Sequence, residues 1–271
     1  MTMRKLLPLL TSLLIVVVLA SGGLAKAQAS SSVTIVHGLP RFTADVYVNG
    51  ELLLSGFKAE STTDPLTLEE GEYDVAIRDV GSAPDSEPAL QDLITLNGGI
   101  NVSIVAHLDE GGNPALSVFE NDLSQIPAGE SRLVARHNAA APAVDVLSDG
   151  ETLLTDLTSG NEADTNLAVA THEVAVALAG GGEEVVSPTA LQFEEGTSHV
   201  LYLIGSAEDE TLDLMVQTVS GLQSAPSGVA TGDGGLAETP GFPAWAAVLM
   251  IGAAFVLVAS SLQLRRSRRS E

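Results

Sequence analysis

The ionisable pairs that recur in this chain each consist of a histidine followed eight positions later by an aspartate. His37 and Asp45 form the first pair, and His137 and Asp145 form the second. A His and an Asp brought together by one strand and a turn predict either a ligand contact or half of a metal site. The structural alternative is an Asp that accepts hydrogen bonds from backbone N–H groups of the opening loop, with the His as its partner. Recurrence favours the structural role, so we expect no catalytic residue at either pair.

The other polar residues match no further site chemistry. The remaining three histidines do not recur, and the chain has no cysteine, so no zinc-binding spacing occurs. Acidic turns at 109–113 and 208–213 offer oxygen ligands without the spacing of a calcium loop. The sequence has no nucleophile elbow, P-loop or dinucleotide-binding motif. We therefore expect no cofactor, with bound calcium as the alternative.

Short strands and tight turns must position these residues. Asn49-Gly50 and Asp149-Gly150 each predict a two-residue hairpin, because a type I′ turn requires positive φ at both central positions. No segment between 31 and 222 shows a sustained helical period. Alternating or β-branched residues predict strands at 33–36, 45–48, 73–78, 101–105 and 199–204. The expected fold class is all-β, with two tandem immunoglobulin-like or transthyretin-like β-sandwiches.

The repeat extends beyond the His and Asp pairs. Residues 73–77 correspond to 172–176 at an offset of 99, and residues 98–105 correspond to 196–203 at an offset of 98. Similarity over this length predicts two copies of one fold rather than a solenoid of short repeats.

The N-terminus has the pattern of a secretory signal. The first residues are basic, an apolar run follows from 6 to 20, and small residues come next. This pattern predicts a signal peptide cleaved between Ala27 and Gln28. Cleavage after Ala29, or an uncleaved N-terminal anchor, is the alternative.

The C-terminus has the pattern of a membrane anchor. The stretch from 244 to 262 has no charged residue and nearly spans a hydrocarbon core of about 30 Å as a helix. Trp245 lies near one end, and an arginine cluster follows at the other, which predicts a cytoplasmic tail and outward-facing domains. Pro240-Gly241-Phe242 resembles the sorting signals of archaeal surface proteins, and in that case the helix is removed after sorting.

These features together divide the chain into segments. A Gly-, Ser-, Pro- and Thr-rich stretch precedes the anchor and predicts a flexible stalk, and a short hinge near 124–130 separates the two copies. The expected segments are a signal peptide at 1–27, a first sandwich at 31–124, a second at 131–222, the stalk at 223–241, a transmembrane helix at 242–264 and a basic tail at 265–271.

The charge of the chain excludes one class of partner. It has 12 Lys and Arg against 35 Asp and Glu, and only five of the basic residues lie between 28 and 241. A surface this acidic repels nucleic acid phosphates, so we expect no nucleic acid partner. Cations, basic partners or a salty medium fit the charge, and so does a role in solubility alone.

The paired motif resembles the DUF4397 family of prokaryotic surface β-domains, which has no assigned activity. Members show His-x-x-Pro-x-x-Pro-x-Val-Asp-Val-Tyr-x-x-Gly near the start of the domain. The first copy keeps His37, Pro40, Asp45, Val46, Tyr47 and Gly50, and the second keeps His137, Pro142, Val144, Asp145, Val146 and Gly150. The first copy departs from the family pattern at 42–44, and the second has Ala140 in place of the first Pro. The resemblance implies a surface β-domain and no particular chemistry.

The function expected from the sequence is that of a non-enzymatic, single-pass cell-surface protein. Its partners would be a lipid bilayer, through 242–264, and an extracellular protein or glycan bound for adhesion, envelope structure or recognition. The first alternative is a calcium- or salt-dependent spacer. The second is a surface carbohydrate-processing hydrolase, which the scarcity of Tyr, Trp and Phe disfavours.

Overall fold

The computed structural model describes residues 29–224, and all regular structure in this range is β-strand. The predicted signal peptide, transmembrane helix and basic tail, and nearly all of the predicted stalk, lie outside these residues. Within the described range no helix is present that could cross a membrane.

The first half of the described chain forms two sheets. One has the strand order β4-β1-β8-β9, with β5 also paired to β1, and the other has the order β3-β2-β6-β7. We call them the first inner sheet and the first outer sheet. Their strands are β1 (Ser30–His37), β2 (Ala44–Val48), β3 (Glu51–Phe57), β4 (Ser61–Thr62), β5 (Leu66–Glu69), β6 (Gly71–Asp79), β7 (Leu90–Leu96), β8 (Asn101–Leu108) and β9 (Pro114–Glu120).

The second half repeats this strand order. The second inner sheet has the order β13-β10-β16-β17, and the second outer sheet has the order β12-β11-β14-β15. Both inner sheets have one parallel pair at their centre, β1 with β8 and β10 with β16. The strands are β10 (Glu130–Ala140), β11 (Val144–Ser148), β12 (Glu151–Leu157), β13 (Glu162–Ala168), β14 (Thr171–Leu178), β15 (Glu184–Gln192), β16 (Ser198–Ser206) and β17 (Asp213–Val219).

The predicted local structure is confirmed. All five segments expected to be strands lie within β1, β2, β6, β8 and β16. Asn49, Gly50, Asp149 and Gly150 have φ values of 52°, 80°, 52° and 82°, as two type I′ hairpins require. The expected all-β sandwich class is therefore correct for the described residues.

One part of the predicted repeat alignment is wrong by one residue. The 99-residue offset between β6 and β14 is confirmed by the pairing of these strands with β2 and β11. In the inner sheets, however, Val33 lies opposite Val102, and Leu133 lies opposite His199, so the offset between β8 and β16 is 97 and not 98. A one-residue slip exchanges the two faces of a strand, which matters here because the faces pack against different sheets.

Each half buries an apolar core between its inner and outer sheets. In the first half Val33 and Ile104 of the inner sheet pack against Val46 and Val75 of the outer sheet. In the second half the core likewise lies between the inner and the outer sheet. It also contains the fully buried Phe193. These are the two sandwiches that the alternating pattern predicts.

A third apolar cluster lies between the two inner sheets. Val36, Val105 and Phe119 of the first half pack against residues of the second half, which are Val134, Val200, Tyr202, Ile204 and Met215. The central inner strands are therefore buried on both faces, and every residue of β16 is buried. Gly38 marks the close approach, because a Cβ there would lie 2.7 Å from Cγ2 of Ile204. The described chain is thus a stack of four sheets with the outer sheets at its two ends.

Candidate functional site

The two repeated aspartates hold loops of the outer sheets. The N–H groups of Gly56 and Gly81 donate to the two carboxylate oxygens of Asp45, each over 2.8 Å. In the second half the N–H groups of Asp156 and Gly180 donate to Asp145 over 2.9 and 3.1 Å. The bonds from Gly81 and then Gly56 hold the pKa of Asp45 below its usual value. Both aspartates accept backbone N–H groups, but the donors lie within β3 and β12 and just after β6 and β14, and not in the opening loop.

The repeated histidines are not the partners of these aspartates. His37 points into the first sandwich, where its ring centroid lies 5.4 Å from that of Phe57 and 6.0 Å from that of Phe42. Burial lowers the pKa of His37 to about 4, against a smaller opposing effect of the Phe42 backbone. Nε2 of His137 bonds to the carbonyl of Pro142 over 2.9 Å, and burial lowers its pKa as well. The structure therefore does not bring either His and Asp pair together, and both histidines act as buried neutral core residues.

One serine and histidine contact resembles part of a hydrolytic site but has a structural counterpart. Ser131 Oγ lies 3.2 Å from Nδ1 of His199 and donates to the carbonyl of Thr197 over 2.6 Å. At the equivalent position in the first half, Ser31 Oγ donates to the carbonyl of Asn97 over 2.7 Å. Ser131 is fully buried, so the shared bond to the preceding loop accounts for both serines.

The acidic turns fold as hydrogen-bonded turns. Asp109 Oδ1 accepts the N–H of Asn113 over 2.8 Å, and this bond is the main reason that the pKa of Asp109 lies below its usual value. Within residues 29–224, no group of three or more His, Asp or Glu is placed to hold a metal ion.

The most densely bonded polar cluster lies at the centre of the stack, around Arg136 on β10. This side chain is 1% exposed, and its three nitrogens donate to Glu162, Tyr202 and Asn121 over 2.8, 2.8 and 2.9 Å. Its guanidinium carbon also lies 4.5 Å from the ring centroid of Phe119, which suits a cation–π contact. Since Asn121 and Phe119 belong to the first half, Arg136 binds the two halves together.

The cluster continues into a network that crosses between the inner sheets. Ser103 Oγ, on β8, donates to Oε1 of Gln217, on β17, over 2.9 Å. Tyr202 donates to the same oxygen over 2.5 Å, and burial raises the pKa of its hydroxyl, so it remains a donor. Asn121 Nδ2 donates to Asn101 Oδ1 over 2.6 Å. Buried polar groups that are fully bonded in this way rigidify an interface and specify one arrangement of its sheets.

The segment expected to act as a hinge is tied to the second half at two points. Nη1 of Arg132 donates to the carbonyl of Asp122 over 2.8 Å, and Nη2 donates to Oγ of Ser124 over 2.9 Å. Further along, the N–H of Ile126 donates to the carbonyl of Leu222 over 2.7 Å, close to the end of the described chain. The linker therefore has little freedom to let the two sandwiches move apart.

The interface network was missed from the sequence, although a signal for it exists. Two of the five basic residues between 28 and 241 lie four positions apart on one strand, β10, and both are buried. The side chain of an arginine in a strand of an acidic protein is easily expected to be exposed to solvent. The apolar, non-alternating sequences of β8 and β16 are the second signal, because such strands are covered on both faces.

The fold and the bonding together define an all-β protein of stacked sandwiches in which the selected ionisable residues hold loops and sheets in place. Residues 31–147 match the model of DUF4397, a domain of unknown function. The match extends from β1 into β11, so it covers the first half and the start of the second. It supports the family resemblance that the His, Asp and Gly positions indicate.

Comparisons with other proteins add little. No curated protein matches the sequence. The structure is similar to a family 26 carbohydrate-binding module from Eubacterium rectale Amy13K, solved with maltoheptaose, at 10% identity and a TM-score of 0.23, over 73% of this chain and 98% of the module. It is also similar to a candidate cell adhesion protein from Bacteroides uniformis at 9% identity and a TM-score of 0.20, over 72% and 98% of the two chains. TM-scores of this size are too low to define a shared fold.

Proposed function

We propose that the chain is a non-enzymatic cell-surface protein whose two DUF4397-type copies form one stiff ectodomain for adhesion, envelope structure or partner binding. The observation that carries this proposal is the central network around Arg136, which joins the two sandwiches through buried, bonded side chains. A stiff body of this kind suits a protein that must present a binding surface of fixed shape.

The point where the chain leaves the second sandwich distinguishes the two ends of that sandwich. The chain leaves the second sandwich beside the linker, where Gln223 pairs with Ile126. The loops at 141–143 and 207–212 lie at the opposite end of β10 and β16.

Surface location is tested by labelling intact cells with a membrane-impermeant amine reagent. After cleavage at Ala27, Lys58 is the sole lysine left in the chain, and it is exposed. The proposal expects peptide mass spectrometry to find modified Lys58 on intact cells. Modification of Lys58 only after lysis would contradict a surface location.

The calcium- or salt-dependent spacer and the surface hydrolase remain the alternatives. Thermal unfolding with calcium and with EDTA, at low and high salt, separates the first of these from the proposal. A calcium-specific rise of the midpoint would identify an ion site, because a ligand that binds only the folded state stabilises it. An equal rise with sodium and calcium salts would instead reflect screening of the acidic surface.

A further inference from the structure

The two outer sheets share a scaffold but present different surfaces. Both have the same strand order, and an aspartate holds the same loops in each. The described chain has eight large apolar side chains that are exposed. Two of these, Leu52 and Leu93, lie on strands of the first outer sheet and on its outer face, whereas the strands of the second outer sheet carry none.

The strand registers show which residues replace one another. Tyr47 lies opposite Leu52, and Leu147 lies opposite Thr152, so Thr152 replaces Leu52. Asp74 lies opposite Leu93 and Glu173 lies opposite Ala190, so Ala190 replaces Leu93 by the same criterion. The second sandwich therefore folds with smaller or more polar residues at both positions, which shows that neither leucine is needed to build an outer sheet.

Leu52 and Leu93 belong to one face. Leu52, Tyr47 and Ala76 form a row across β3, β2 and β6, and Leu93 lies in the next row on β7. Three strand spacings separate β3 from β7, so the two leucines span about 14 Å across the sheet. They are 51% and 60% exposed. Isolated exposed leucines need no explanation, but two exposed leucines on one face of a sheet, above a covered tyrosine, form an apolar surface of the kind that marks a protein contact.

Arg78 lies on the same face and is the third difference between the sheets. It is opposite Asp45, and the equivalent residue opposite Asp145 is Ala177. Its guanidinium carbon lies 5.5 Å from the ring centroid of Tyr47. Nε and Nη1 are buried and have no hydrogen-bond partner among the described residues, and both oxygens of Asp45 are already bonded to backbone N–H groups. Because Nε and Nη1 have no exposed surface, a partner's oxygen can reach this guanidinium only at Nη2.

We propose that the outer face formed by Leu52, Tyr47, Arg78 and Leu93 is a docking site for a partner protein. The partner presents apolar side chains to the leucines and a carbonyl or amide oxygen to Nη2 of Arg78. Its rim carries Lys or Arg, because acids such as Glu72 and Asp74 surround the site on this face. A glycan is the weaker choice, since the Tyr47 ring is 6% exposed and offers no open stacking surface.

This inference rests on the proposed surface function and is tested with the full chain on the cells that produce it. A photoreactive benzophenone residue replaces Leu93 in one variant and Ala190 in the matched control. After illumination, the proposal expects a protein adduct at position 93 that is absent at 190, with the cross-linked partner segment containing Lys or Arg. Adding Arg78→Ala or Leu52→Thr should lower the yield at 93 about tenfold, as expected for central interface residues.

Several results would overturn the inference. These are equal adducts at both positions, an adduct at 93 that Arg78→Ala and Leu52→Thr leave unchanged, a cross-link only to lipid, glycan or a second copy of the chain, or no adduct at 93. Unchanged thermal midpoints of both variants would show that a lower yield is not caused by unfolding. Labelling of Lys58 on the same cells separates the two claims: if Lys58 is labelled and the adducts fail, only the docking site is wrong. If Lys58 is not labelled, the surface function itself is wrong.

Discussion

A comparison of the first and second halves of the described chain shows which residues both copies of the fold need for their structure. Asp45 and Asp145 bond equivalent loops, and His37 and His137 are buried in equivalent positions, so these residues serve the scaffold. The halves differ at the central interface and on their outer faces. At the central interface Arg136 occupies the position equivalent to Val36, and on the outer faces Arg78 is replaced by Ala177. Residues that recur in both halves thus maintain the fold, whereas residues that differ mark the central interface and the proposed docking face.

The largest effect is expected from Arg136→Met at the central interface. Asn121 and Tyr202 would lose a charged hydrogen-bond partner, which should lower the free energy of unfolding by about 3 kcal/mol. Denaturant unfolding of the full chain measures it. Arg132→Met is the matched control on the same strand; its partner Asp122 is 60% exposed, so a loss of about 1 kcal/mol is expected. Equal losses would mean that the central network has no special role.

Asp145→Ala should lower the free energy of unfolding by about 2 kcal/mol, because the N–H groups of Asp156 and Gly180 lose their acceptor. Asp45→Ala should act in the same direction. Asp164→Ala, on an exposed part of β13, is the control and should change stability by less than about 0.5 kcal/mol. If only one of the variants Asp145→Ala and Asp45→Ala is destabilised, the two aspartates do not have equivalent roles in the two halves.

Acid should weaken the fold through the buried histidines. His37 has a folded-state pKa of about 4 against 6.5 for the unfolded chain, so the unfolded chain takes up its proton first. Its contribution is fully present above about pH 6.5 and is lost as the pH falls toward about 4. His37→Phe should therefore flatten the decrease of unfolding free energy over this range.

His172 provides a control of opposite sign for this pH dependence. The carbonyl of Ala168 and then Asp149 raise its pKa, so its stabilising contribution is present in acid and is lost as the pH rises through the folded value. His172→Asn should remove the gain in unfolding free energy that the unmodified chain shows as the pH falls toward 6.5 from above, and it should leave the decrease between 6.5 and about 4 unchanged. A parallel response of the two variants would contradict the assignment of their environments.

The smallest effects are expected from the two sandwich cores, and they should differ in sign. Val46 borders a gap of about 30 Å³, and Val146 borders one of about 10 Å³. Val46→Ile should raise the unfolding free energy by about 0.5 kcal/mol by filling space. Val146→Ile should lower it by about 1 kcal/mol, because the added methyl group must displace its neighbours. Stabilisation by both would mean that the second core is packed as loosely as the first.

The local structure was predictable because its causes are local. Asn49-Gly50 and Asp149-Gly150 determine their hairpins through φ, and the repeated Asp positions indicate loop bonding without any knowledge of the whole fold. The sequence did not reveal that His37 and Asp45 lie in different sheets, with His37 in the core of the first sandwich, because a spacing of eight residues does not determine how the connecting segment folds.

The packing of the inner sheets was not predicted because its causes are distant in the chain. Ser103 and Gln217 are 114 positions apart, and neither has a local feature that indicates the other. The 98-residue offset matched similar residues while exchanging the faces of β16, so alignment by similarity alone concealed which residues lie between the sandwiches.

The central claim is that the two sandwiches form a single body held by their inner sheets. Calorimetric unfolding of the purified full chain tests it directly. The account predicts one transition for residues 29–224, with equal calorimetric and van't Hoff enthalpies, that Arg136→Met splits or broadens. Two separate transitions in the unmodified chain, unaffected by Arg136→Met, would show that the sandwiches unfold independently and that the interface does not join them.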